Sequence, residues 1–543
     1  MPEVSPWTRP FWTSGQDGEL RLPYCAACRR HAHPSETVCA GCLTDLTEWV
    51  GVGGGGVVVG VTVNHQLFLP RFPPPYVVAV VALDDAPGVR LTTNLVDVDP
   101  EHARIGMTVE VRFQEQDGVW FPLFAPSGAA DVPTAALVPE PRRSARPPAS
   151  SRRFEDRVAL TGAGMSQVGR RLLRPPLSLT VEACQAAVAD AGLTFDDIDG
   201  LATYPGAVPG YAGISEGGVY AVEQALGIHP TWHNGGMESS GQCGSVIAAM
   251  LAVASGLCRH VLCFRTVWES SYSHLQRTGG MPVPRGGAVS GDMQWRIPFG
   301  ASSAANWIGM AASQYFDRYG ADREMLGWIA LTGRTNAALN PSAIYRDPLT
   351  MQDYLTARMV STPFGLYDCD VPCDGSVAFV VSAVETAPDL RRRPVYVEAV
   401  GTQITERPSW DQDTMTHMPN VFGPAAHLWT RTTLTPADVD VAEIYDGFSF
   451  NCVTWLEALG FCGLGEAKDL VAGGTRIARD GELPLNTHGG QLSAGRTHGY
   501  GFLHEAVTQL RGDAGARQVP DARVAAVAVG GGVPGGCFLL RTE

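Results

Sequence analysis

Asn486-Thr-His-Gly-Gly-Gln-Leu-Ser-Ala-Gly-Arg-Thr-His-Gly-Tyr-Gly501 decides how the rest of this chain is understood. His488, His498, Arg496 and Tyr500 stand among five glycines, just ahead of the apolar run from Phe502 to Leu510. Glycine at that density admits positive φ and lets backbone approach a ligand closely. A glycine-rich loop running into a helix also presents unpaired N–H groups to whatever binds there. A long hairpin with polar decoration would carry the same glycines, so the surrounding chain must choose between them.

Upstream, strands and helices alternate. Val158–Thr161 is a buried strand followed by a glycine turn, and Leu179–Ala191 has helical character with Ser178 placed to cap it. An apolar helix over 243–256 leads into a strand at Val261–Arg265. Pro394-Val-Tyr-Val-Glu-Ala-Val-Gly401 repeats the opening Val158-Ala-Leu-Thr-Gly-Ala-Gly164, and each copy proceeds to a Gly/Ser-rich loop and an apolar helix. The alternation predicts an α/β fold built from two related βαβ halves, 155–392 and 393–543.

The first 154 residues have another texture. Cys25-Ala-Ala-Cys28 and Cys39-Ala-Gly-Cys42 are two CxxC knuckles ten residues apart, which together supply four thiolates for a structural zinc ion with no open coordination position. Gly51–Gly56 lacks the Lys-Ser/Thr ending of a phosphate loop and is a turn entering a strand. Short β-branched runs at Val57–Val63, Val77–Leu83, Val89–Leu95 and Thr108–Gln114 predict a small all-β barrel. The expected divisions are 1–48 (N-terminal helix and zinc ribbon), 49–125 (barrel) and 126–154, a Pro/Ala/Ser/Arg-rich segment expected to be a solvated tether, the alternative being that its arginines lie on an acidic partner surface.

At 543 residues the chain exceeds one hydrophobic core. Its net charge of −15 argues against nucleic acid as a partner, since no basic field collects phosphates. No apolar run reaches the length of a membrane span, and Met-Pro-Glu-Val-Ser-Pro-Trp is not a signal segment, so the expectation is a cytoplasmic protein away from membranes. The remaining cysteines sit singly, mostly in apolar runs. Asp368-Cys-Asp370 with Cys373 is expected to form a turn and not a metal site, there being no histidine beside it.

Phe11-Trp12, Gly18-Glu-Leu-Arg-Leu, the ribbon and a barrel closing near Trp120–Phe124 resemble the acyl-CoA-associated OB-fold family with a rubredoxin-like zinc ribbon. The region beyond resembles the thiolase superfamily, nearest to its sterol-carrier and lipid-transfer branch. It does so through Leu179–Gly192 with Ile198-Asp199-Gly200, Glu238-Ser-Ser-Gly241, Asp374-Gly-Ser-Val-Ala-Phe-Val-Val, Glu443-Ile-Tyr-Asp-Gly-Phe-Ser449, the 486–501 loop and Gly530-Gly-Gly532. The resemblance implies a five-layered thiolase-like fold, a CoA thioester as substrate and a homodimer through the thiolase-like domains. It also implies a place beside an enoyl-CoA hydratase as possible partner.

The resemblance also shows what is replaced. Glu238 stands where thiolases carry their nucleophilic cysteine, Tyr445 and Arg496 where they carry two histidines, and Ala528 where they carry a second cysteine. Cys243, expected one turn into the helix, is displaced from the nucleophile position. Cleaving or forming a C–C bond beside a thioester needs a proton taken from a hydroxyl and an enolate stabilised, and neither step requires a covalent intermediate. The expected activity is a retro-aldol or aldol lyase on a β-hydroxyacyl-CoA, as in the thiolase-like aldolases that cleave steroid side chains. Tyr445 or Tyr500 would be the base, with His498 as alternative, and Arg496 would lower the tyrosine's pKa. Arg496, His488 or loop N–H groups would hold the enolate oxygen, Glu238 would orient a tyrosine or protonate Cα, and Gly489, Gly490 and Gly531 would admit the substrate. Two alternatives remain: an acyltransferase using Ser239, Ser240 or Cys243, and a non-catalytic acyl-CoA or lipid-binding scaffold.

Overall fold

Four sulfurs and a three-stranded sheet begin the molecule. In the computed structural model, which describes residues 1–207, 213–281, 287–407, 409–531 and 534–543, Leu20–Cys25 pairs with Arg30–His31 on one side and Glu48–Val52 on the other. Gly532 of the Gly530–Gly532 run lies outside the described residues. The barrel follows as Gly55–Asn64, Tyr76–Leu83, Arg90–Leu95, Thr108–Gln116 and Val119–Pro126, closed by pairing of Gly55–Val57 with Thr108–Glu110. Closure removes the free edges that so short a sheet would otherwise expose.

The thiolase-like region carries nine strands in one sheet. Trp232–Gly235, Gly200–Thr203, His260–Trp268, Asp374–Ala383 and Val158–Met165 form the first half; Val395–Gly401, Gly536–Arg541, Val524–Val529 and Val441–Ile444 form the second. The halves join through two residue pairs, Val395 with Leu160 and Tyr396 with Ala159. Alternation along the strands sorts the layers. Val261 and Cys263 face a core shared with helix Gly244–Ser255, whereas Leu262 and Phe264 face a separate cluster under helices Pro176–Ala191 and Gly218–Leu226. Helix Tyr500–Arg511 lies in the shared core, and Phe422–Trp429 and Ser449–Ala458 pack against the second half, giving the five-layered thiolase-like arrangement. The first of these helices begins at Pro176, whose missing N–H suits a first turn; Ser178, the expected cap, lies inside it and donates to Pro175 O.

The expected tether is bound down. Val138 is 1% exposed within a cluster that also holds Val59 of the barrel and Met310 of helix Ala304–Tyr319. Arg318 donates to Val138 O and pairs with Glu140, and Arg143 donates to Glu457 O. Proline and arginine gave the segment no internal core, yet they let an extended chain lie along a neighbour's surface.

Barrel and thiolase-like region share a continuous sheet. Asn64 at the end of Gly55–Asn64 pairs with Ser361 of Met359–Ser361, itself paired with Phe364–Gly365. Buried polar contacts fix the register: Thr62 Oγ1 to Ser361 Oγ (2.7 Å), Asn306 Nδ2 to Asn64 Oδ1 (3.1 Å) and Asn306 Nδ2 to Ser361 Oγ (2.9 Å). Trp12 stacks on Trp295, with ring centroids 5.3 Å apart. Among the described residues no helix is long and apolar enough to cross a membrane.

Two glycines set how closely helix Pro176–Ala191 approaches its strand. A Cβ on Gly162 would stand 2.2 Å from Ala187 O, and one on Gly164 would stand 2.3 Å from Ala187 N. Backbone atoms cannot yield as a side-chain tip can, so Gly162→Ala is expected to lower stability by about 2 kcal/mol. Gly287→Ala, with open space around it, should shift stability by less than about 0.5 kcal/mol. Denaturant unfolding of the two variants checks the difference.

Candidate active site

Tyr445 leaves strand Val441–Ile444 at its C-terminal end, where its N–H donates to Ala528 O at 2.9 Å. It enters a cavity of about 520 Å³, the kind of place where open α/β sheets bind ligands. The ring is 4% exposed and held between two glycines: a Cβ on Gly447 or Gly531 would stand 2.7 or 2.5 Å from Cε1. Glycine is required at both positions for this close approach. Burial pushes the phenol above its ordinary pKa and outweighs the opposing pull of Arg496. The expected lowering by Arg496 is thus not the net result, and Tyr445 is a neutral proton donor.

The reason lies in how Arg496 is already engaged. Its Nε lies 3.0 Å from Asp370 Oδ2 and its Nη1 3.3 Å from Glu269 Oε2, while its N–H donates to Val371 O. Burial opposes the guanidinium charge, but Asp370 and Glu269 more than offset it and the arginine's pKa is raised. Asp370 itself is pushed up to about 7, chiefly by burial, against the pull of Arg496. A carboxyl poised near neutrality inside a cavity is suited to general acid–base work.

The two aspartates of Asp368-Cys-Asp370 therefore part company. Asp368 accepts from Tyr354 Oη (2.6 Å), Ser449 Oγ (2.6 Å) and Gly365 N (2.7 Å), which is the expected structural turn. Asp370 lines the cavity, a role for which sequence offered no signal beyond its proximity in the chain to Asp368. Glu269, which reaches the site only through Arg496, and the barrel residues Gln66 and Phe68 in the cavity lining were equally unmarked. The remaining walls are largely apolar, including Ala304, Ile308, Val360, Leu366 and Phe448.

The structure sets the other expected site residues apart from this group. His488 gives Nδ1 to a contact with Glu443 Oε2 at 3.0 Å and lines a second, smaller cavity with His504, Glu505 and Arg517. Burial disfavours its charge, but Glu443 prevails and its pKa is raised. Gly489 packs on Ala337, and Gly490 lies where a Cβ would meet Asp446 Oδ2 at 1.9 Å. That carboxylate accepts from Gln491 N at 2.6 Å, so these two glycines shape the turn. Tyr500 is fully buried, bonded to Ser245 Oγ at 2.6 Å, and its ring lies against Phe379. Glu238 is exposed beside edge strand Trp232–Gly235. Cys243 stands at the residue before helix Gly244–Ser255, with no capping bond from its side chain, and does not lie one turn inside it; burial pushes its thiol upward, away from thiolate. Ser239 Oγ donates to Gly241 O.

His498 is held by a residue that sequence reasoning passed over. Arg265, 1% exposed in strand His260–Trp268, donates to Tyr204 O, to Ile214 O and to His498 Nδ1. An arginine amid a buried strand was the available signal. Since guanidinium only donates, Nδ1 must accept and the imidazole proton sits on Nε2, which has no hydrogen-bond partner among the described residues. Burial and the charges of Arg496 and Arg265 hold its pKa well below the ordinary value. His498 is therefore a neutral donor, not a base. Nitrogen-15 NMR of the labelled protein should show this ring protonated at Nε2 and still neutral where an ordinary histidine has become charged.

At the N-terminus, ligand atoms of Cys25, Cys28, Cys39 and Cys42 all lie within 4.8 Å of one another, with Cys25 Sγ to Cys42 Sγ at 3.5 Å. Four sulfurs about 2.3 Å from a common tetrahedral centre would be separated by about 3.8 Å. The donor set and its compactness fit a metal ion held by four thiolates.

Residues 403–535 match the family described as thiolase C-terminal domain-like, and residues 49–114 match the ChsH2 C-terminal OB-fold domain. The chain is 34% identical over 392 residues to the steroid side-chain-cleaving aldolase of Thermomonospora curvata, covering 71% of this chain and 98% of that protein. It is 35% identical over 398 residues to the 17-hydroxy-3-oxo-4-pregnene-20-carboxyl-CoA lyase of Mycobacterium tuberculosis, covering 70% and 98%. The solved Ltp2-ChsH2(DUF35) aldolase aligns with a TM-score of 0.63 and 32% identity over 71% of this chain and 97% of that one. At 34% and 35% identity over nearly the whole length of these two relatives, the chain belongs to the aldolase family of the thiolase superfamily that they represent.

Proposed function

We propose that this protein is a carbon–carbon lyase that cleaves β-hydroxyacyl-CoA thioesters by a retro-aldol reaction, with a bulky acyl group such as a steroid side chain. The convergence of Tyr445, Asp370 and Arg496 in one largely apolar cavity carries the proposal. Asp370 takes the β-hydroxyl proton. The Cα–Cβ bond breaks, a carbonyl forms at Cβ, and the electron pair enters the thioester enolate. Arg496 stabilises the enolate oxygen, and Tyr445 passes a proton to Cα while the proton held by Asp370 restores the phenol, so both groups return to their starting states. Protonation of Asp370 removes one of the two negative charges beside Arg496 as the enolate's charge develops, so the cation is least compensated when it is needed. Asp370 here takes the basic role first expected of a tyrosine, because burial leaves Tyr445 protonated and Asp370 near neutrality.

Of the nucleophiles named for the acyltransferase alternative, Cys243 is buried and protonated and Ser239 Oγ is engaged with Gly241 O, which weighs against that reading. The homodimer is supported by the exposed edge strand Trp232–Gly235, which pairs on one side only among the described residues. The ribbon cysteines would hold zinc in a purely structural role. A cytoplasmic enzyme working beside a hydratase that supplies the β-hydroxyl fits the same chemistry.

Incubation with a panel of β-hydroxyacyl-CoAs should release acetyl- or propionyl-CoA, and Tyr445→Phe should lower kcat by about 100-fold or more. Intact ligand binding without release from any member would establish the scaffold alternative instead. Metal analysis should find one zinc per chain. Its removal by a chelator should lower the melting temperature of the ribbon region, and Cys39→Ser should do the same without added chelator.

A further inference from the structure

The two arginines lining the main cavity differ in how their charge is met. Arg496 is matched by Asp370 and Glu269. Arg358 is exposed, on the short segment between helix Met351–Thr356 and strand Met359–Ser361, and has no carboxylate partner among the described residues. It is nevertheless oriented: its Nη1 donates to Gln66 Oε1 of the barrel at 2.8 Å. A neutral amide fixes the guanidinium without neutralising it, and leaves most of its five donors free. Phe68, two residues beyond Gln66, lines the same cavity. In a chain of net charge −15, an uncompensated cation held at the rim of a ligand cavity is where an incoming anion is met.

We infer that Arg358, positioned by Gln66, binds an anionic oxygen group of the substrate remote from the reacting carbons. The inference rests on the CoA-thioester reading above. Two parts of such a substrate offer this chemistry: the phosphates of CoA, and a carboxylate at the far end of the acyl group. Both match a guanidinium fork, and a charge-assisted bidentate contact would give affinity rather than rate. Gln66 would be a positioning residue, acting through Arg358.

The test compares wild type with Arg358→Ala, Arg358→Lys and Gln66→Ala. Steady-state cleavage is measured on a β-hydroxyacyl-CoA, on the N-acetylcysteamine thioester of the same acyl group, and on paired acyl groups with and without a terminal carboxylate. Calorimetry of CoA itself, and of the carboxylate-bearing truncated thioester, runs in parallel. Arg358→Ala should raise KM by about tenfold or more with kcat within twofold. Arg358→Lys should recover part of the loss, and Gln66→Ala should shift KM the same way by less. A penalty confined to CoA esters, with weakened CoA binding, assigns the phosphates. A penalty that persists on truncated thioesters but requires the carboxylate assigns the acyl terminus. Unchanged KM and unchanged binding throughout, or a fall in kcat alone, would overturn the inference. If wild type cleaves no substrate, the lyase proposal fails, and the calorimetry still decides the role of Arg358.

Discussion

The strand pairing between Asn64 and Ser361 is the constraint on which the working part of this protein depends. It extends the barrel's sheet into the thiolase-like region and does so through hydrogen bonds among Thr62, Asn64, Asn306 and Ser361, all buried. Buried polar groups of this kind are costly unless fully matched, so a slip of register would leave donors and acceptors unpaired. One arrangement of the two parts is thereby selected over neighbouring ones that would bury similar apolar area. Gln66 and Phe68 lie just beyond the pairing, and their place in the cavity wall follows from it.

Inside the cavity the organising theme is charge that is almost but not wholly cancelled. Arg496 faces two acidic partners, one of them close enough to neutrality to exchange its proton. Tyr445 is denied ionisation by burial and is fixed in place by the absence of side chains at Gly447 and Gly531. Thiolases store the acyl group on sulfur; this site instead has groups whose protonation can change without a covalent bond to the substrate. The apolar side chains in the wall suit an apolar acyl group.

Much of the fold could be read from sequence because it was written in local patterns. The paired CxxC knuckles, the β-branched runs of the barrel and the two opening strands of the halves appear where expected, although Gly162, Gly164 and Gly401, expected to turn the chain, lie within those strands. The site was only half readable. Tyr445, Arg496 and Gly531 occupy positions aligned with thiolase motifs, and they meet in one cavity. Asp370 and Glu269 come from separate stretches and acquire meaning only through their distance to Arg496, which no one-dimensional pattern encodes. His498 and Tyr500 carried the right functional groups, but Arg265 occupies one and Ser245 the other. The segment 126–154 misled for a related reason: low apolar content rules out an internal core, not adhesion to somebody else's.

That adhesion has a consequence for the barrel's relation to the cavity. With Val138 buried and Arg143 and Arg318 fastening the connecting chain, the barrel is an intramolecular ligand of the thiolase-like region at very high effective concentration. Dilution, which separates two chains that share a site, cannot strip this cavity of the wall supplied by Gln66 and Phe68. That part of the pocket wall is thus a property of each polypeptide, independent of how much protein is present.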